Sequence, residues 1–111
     1  MTIKKTKSGK FSFGLSAQDR ADLYFDLAGF IESESVNIMF CKLKDGNDVL
    51  RHLFYCAINT LIVRQHTKFF MPEQNFVVTR AEAIALLWFL REKVNGPLLN
   101  LKSQLHKHLL S

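Results

Sequence analysis

The chain has 111 residues, 48% of them hydrophobic and ten of them Phe, with a formal net charge of +5. This length suits one domain with a core of its own, and the composition excludes an intrinsically disordered chain. No apolar run reaches the roughly 18 residues that a membrane-spanning helix needs.

The charge is unevenly placed. Residues 1–10 hold four Lys and no acid, residues 11–50 hold three basic and seven acidic side chains, and residues 51–111 hold eight basic and three acidic. A uniformly basic nucleic-acid binder would look different. A polarised chain can neutralise itself within one subunit or between two.

Residues 1–10 (MTIKKTKSGK) lack apolar periodicity and are expected to be a flexible basic arm ahead of a single helical domain over 11–111. No apolar signal region follows them, which points to the cytoplasm. In that setting Cys41 and Cys56, both inside apolar segments, are expected to be reduced and buried rather than disulfide-bonded.

Ser16 followed three residues later by Asp19 has capping-box spacing and predicts a helix from Ala17 to about Glu32. At 100° per residue it places Leu23, Tyr24, Leu27, Phe30 and Ile31 on one arc and Asp19, Asp22 and Asp26 beside it. Residues 36–44 fit two patterns. Val36, Met39, Phe40 and Leu43 follow helical spacing, and Lys42 and Lys44 ahead of Gly46 suit a helix end, whereas Val36, Ile38 and Phe40 alternate like a strand. The helical reading is preferred. Asn47 or Asp48 is then the expected cap of a helix to about His66, followed by a loop over 67–78 with a short extended piece at Phe76-Val-Val.

Thr79 and Glu82 repeat the capping signal and predict a helix from Arg80 to about Asn95. The signals Phe13…Ser16…Asp19 and Phe76…Thr79…Glu82 stand 63 residues apart. Shared capping grammar explains this more simply than a duplicated half-domain. Gly96 suits a left-handed cap and Pro97 the first turn of a last helix to Leu110, with Leu98, Leu101, Leu105 and Leu109 as its stripe. Lys102 and His106 flank that stripe and are expected to face the aspartates of the first helix. The predicted fold is a mainly α, compact bundle of four or five helices, the alternative being α+β with a small sheet from residues 36–44 and 75–78.

Ala83 to Leu90 carries no charge, amide or hydroxyl side chain. Such a helix is either central to its domain or part of an interface. Ala81, Ala85, Trp88 and Phe89 are therefore candidate interface residues, with a homodimer as the expected assembly and another protein as a possible partner. The expected function is that of a small non-enzymatic interaction protein acting through self-association. One alternative is a nucleic-acid-binding accessory protein whose Lys4, Lys5, Lys7 and Lys10 contact phosphates. A second is a small-ligand-binding domain around Arg51, His52, Tyr55 and Asn59, a polar strip on an otherwise apolar helix. Nothing in the sequence assembles a catalytic constellation, a phosphate loop or a cofactor motif. His52 and Cys56, at i,i+4, supply two metal ligands where a zinc site needs three or four, so no metal is expected. A membrane partner is not expected either, since the polar face of the last helix has only two Lys.

Overall fold

A computed structural model describes residues 2–40 and 43–110, with the backbone alone at 36–40. Among the described residues, four helices share one core with a three-stranded antiparallel sheet, which α2 and α4 contact directly. The order is β1 (Thr2–Lys5), β2 (Phe11–Gly14), α1 (Ala17–Phe40), α2 (Gly46–Phe69), β3 (Phe76–Val78), α3 (Arg80–Leu90) and α4 (Leu99–Leu110). The architecture is mainly α with a small sheet. That sheet uses residues 76–78 as the alternative reading anticipated, but its other strands are β1 and β2, and residues 36–40 are helical.

Residues 2–10 are not a flexible arm but form β1 and the turn of a hairpin with β2. Ile3 faces the core and pairs with Phe13, while Lys5 pairs with Phe11. Gly9, at φ +82, closes the turn, where the Thr6 N–H donates to the Lys10 carbonyl at 2.8 Å. The period-two alternation Phe11-Ser12-Phe13 places both rings on the buried side. β2 also pairs with β3 in the register Phe13↔Phe76, and these two rings stack 5.9 Å apart with 11° between their planes.

Each of these strands leads through a capping box into a helix. The Ser16 N–H donates to Asp19 Oδ2 and the Asp19 N–H to Ser16 Oγ. Thr79 and Glu82 do the same at α3. The two signals read 63 residues apart in sequence thus follow neighbouring antiparallel strands and lie at opposite ends of that strand pair.

α1 does not stop near Glu32 but continues to Phe40, absorbing the second expected helix. No proline or glycine interrupts residues 30–40, and the Ser33 and Ser35 hydroxyls bond carbonyls three residues back within the helix. Cys41 and Lys42 lie outside the described residues. The N-cap of α2 is Asp45 rather than Asn47 or Asp48, because its carboxylate accepts the Asp48 N–H at 3.0 Å. α3 ends at Leu90, not Asn95. There the chain turns, with the Lys93 N–H on the Leu90 carbonyl and Lys93 Nζ 3.0 Å from Asp26. Gly96, at φ +100, serves the entry to α4.

The core joins the inner sheet face (Ile3, Phe11, Phe13, Phe76, Val78) to Leu23 and Leu27 of α1, Ile58 and Leu61 of α2, Leu86 and Leu90 of α3, and Leu101 and Leu105 of α4. α4 packs chiefly on α3 and β1, not on α1. Lys102 accordingly donates to the Lys93 carbonyl at 2.6 Å, and Lys93 takes the place expected for Lys102 beside Asp26.

Arg20, 3% exposed, lies on the same stripe of α1 as Leu23 and Leu27. Its guanidinium donates to the carbonyls of Lys68 (2.7 Å), Met71 (2.8 Å) and Gln74 (2.6 Å), and its Nε to Leu15 (3.3 Å). It thereby fixes the loop between α2 and β3. Burial pushes it below its ordinary pKa, and the Glu73 carboxylate pushes it back up.

Candidate functional site

The eight-residue apolar run of α3 is enclosed largely by this chain. Ala83, Ala85, Leu86 and Leu90 have no exposed surface. Trp88 stacks on Phe54 of α2 (5.0 Å, 17°) and meets Phe30 of α1 edge-on, as does Phe89. Of the four candidate interface residues, Ala85 is inside, Trp88 and Phe89 are half-buried, and Ala81 faces out beside Ile84.

The polar strip of α2 turns mostly toward α1. Arg51 pairs with Glu34, and Tyr55 tilts against Phe30 at 6.3 Å. His52 is half-buried and Asn59 exposed. Arg51 also lines two adjoining open clefts of about 290 Å³ each, which share Trp88 and Arg91. Arg91 lies 4.2 Å above the Trp88 ring and donates to the Trp88 carbonyl. The indole thus packs against both Phe54 and Arg91, and Glu34 and Glu92 balance the two arginines. Such a cleft has little net attraction for an anion. Among the described residues, no group of three or more His, Cys, Asp or Glu side chains is placed to hold a metal ion.

Among the described residues, exposed apolar side chains also line the side of α2 that points away from its buried stripe. Ile58, Leu61, Gln65 and Phe69 form its buried stripe. A second stripe runs from Val49 through Leu53, Cys56 and Thr60, then Val63 and Thr67, to Phe70 at the C-cap. The spacing is 4, 3, 4, 3, 4, 3, and all seven residues are exposed, Leu53 by 58% and Val63 by 71%. Cys56 is exposed rather than buried, because the helix is rotated so that this stripe faces outward. Leu50 flanks the stripe at one end, also exposed. At the other end Phe70 and His66 meet Tyr24, which contacts the exposed Phe25. The sequence displayed these residues as surplus hydrophobicity around α2, and the alternating spacing of three and four was the signal that would have separated this stripe from the core one.

Lys4, Lys5, Lys7 and Lys10 are all exposed on the β1–β2 hairpin, the first two in β1 and the other two in the connecting turn. No protein family, curated protein or solved structure matches the chain. Among the described residues, no helix is long and apolar enough to cross a membrane.

Proposed function

We propose that this protein is a small non-enzymatic interaction protein that acts by binding a second copy of itself. One observation carries the reading: an uninterrupted seven-residue stripe of exposed positions along the outer face of α2. The stripe and its flanks leave on the order of 500 Å² of apolar side chain in water, a size at which patches on soluble proteins mark binding surfaces. Doubled across an interface, it reaches roughly the 1,000 Å² that a specific assembly needs. The test is mass by light scattering. Self-association gives about twice 12.8 kDa at micromolar concentration, and a mass of one chain up to ~100 µM, a weak Kd, rules the proposal out. Ile84→Glu, on the outward side of α3, reports whether that helix shares in the contact.

A second reading, binding of nucleic acid, draws on the four exposed hairpin lysines. Phosphate contacts of this kind make retention of DNA or RNA fall steeply with salt. Replacing Lys4, Lys5, Lys7 and Lys10 by Gln abolishes that retention if the reading holds.

A further inference from the structure

We infer that the second copy docks α2 against α2 in antiparallel orientation, with a two-fold axis near Thr60. This deepens the self-association reading and rests on it. The alternation of three- and four-residue steps is the period at which two helices mesh along a shallow crossing of about 20°. A strict three–four stripe is the narrow seam that a second helix fills, whereas packing on a broader surface calls for an apolar arc of about 100° or more. The occupant is thus a helix of similar length to α2, whose 24 residues span about 36 Å. A second α2 meets this requirement with the same stripe, as closed two-fold assemblies demand.

Charge fixes the direction. The N-terminal end of α2 holds Asp45 and Asp48, with Lys44 before them and Arg51 paired to Glu34. The C-terminal end holds His66 and Lys68, with Arg64 paired to Glu82 and Glu73, in the loop that follows, acting on the charge of Arg20. Antiparallel packing sets the acidic end of one helix beside the basic end of the other, and opposes their dipoles favourably. Parallel packing sets Asp48 beside its own copy.

Side-chain size points the same way. In the antiparallel register Phe70 lies opposite Val49 of the second copy, Val63 opposite Cys56, and Thr60 near itself. Large residues then meet small ones, as close packing requires. The Phe25–Tyr24–Phe70 cluster falls beside Leu50 of the other copy, extending the contact beyond the stripe.

The native Cys56 makes the arrangement testable in the full chain. Two chains are compared after mild oxidation on a non-reducing gel, one carrying Cys41→Ser and the other Cys41→Ser with Val63→Cys. Positions 56 and 63 of one helix are about 10.5 Å apart, too far for a disulfide within one chain. Antiparallel docking predicts a covalent dimer with Val63→Cys and little without it. Cross-linking through Cys56 alone means parallel docking and overturns the orientation. Leu53→Glu with Val63→Glu should return the mass to a single chain while circular dichroism shows the helices intact. A dimer that survives both substitutions and does not cross-link overturns the α2 interface but leaves self-association standing, whereas a monomeric wild type overturns both.

Discussion

Arg20 offers the sharpest test of how this fold is held. Its four hydrogen bonds all end on backbone carbonyls, two of them (Met71 and Gln74) in the loop between α2 and β3 and one (Lys68) in the last turn of α2. A hydrogen bond from a charged donor contributes about 1.5–3 kcal/mol, and a buried acceptor left without a donor costs about 1–3 kcal/mol. Desolvation of the guanidinium offsets part of this, and water can reach the outer carbonyls after truncation, so Arg20→Ala should cost about 4 kcal/mol rather than the full sum. For a domain of this size each kcal/mol moves Tm by about 4 °C, so the expected fall is about 15 °C. Arg20→Met is the informative partner variant. It keeps apolar contact with Phe76, over which the guanidinium sits at 5.6 Å, but leaves the same carbonyls unpaired. It should therefore be nearly as damaging as Ala. Arg20→Lys should fall between wild type and Arg20→Met, because one ammonium can satisfy some of the acceptors but cannot span the whole fork. Thermal and urea unfolding followed by circular dichroism give the values, and limited proteolysis should show faster cleavage within residues 70–75. A loss below about 1 kcal/mol for Arg20→Ala, or a stable Arg20→Met, would refute the reasoning.

Thr79→Ala removes the acceptor of the Glu82 N–H and should cost about 1 kcal/mol in urea unfolding. Leu86→Ala, at a site with no exposed surface, should cost about 2–5 kcal/mol, and a smaller loss would mean that the space around α3 closes up. Gly96→Ala meets no neighbour within 4 Å, so any loss reports the left-handed backbone alone, about 1 kcal/mol in thermal unfolding.

The parts of the fold legible in the sequence were those decided within one helical turn. Both capping boxes form as their three-residue spacing predicted, because each side chain satisfies a backbone group that lies beside it. The leucine stripe of α4 is equally local and faces the core as expected. Features decided by distant partners were not legible. Thr2 to Lys5 shows little strand character alone, and it is ordered because β2 offers a pairing edge. α3 stops at Leu90 because Lys93 turns back toward Asp26 on another helix. Arg20 did leave a trace: it is the only base between Phe11 and Phe40, and it shares the stripe of Leu23 and Leu27. The outer stripe of α2 was read as general hydrophobicity because a helix with two apolar faces resembles one with none distinguished.

The Phe13–Phe76 pair has a consequence for how the chain finds its shape. Joining these two positions closes a loop of 63 residues, at an entropic cost of about 4 kcal/mol. Three paired residues and one ring stack cannot supply that unaided. The α1–α2 hairpin, whose contacts are nearer in sequence, is able to assemble before them. The central strand pair is then a product of helix docking, arriving late, and substitutions at Phe13 should speed unfolding more than they slow refolding.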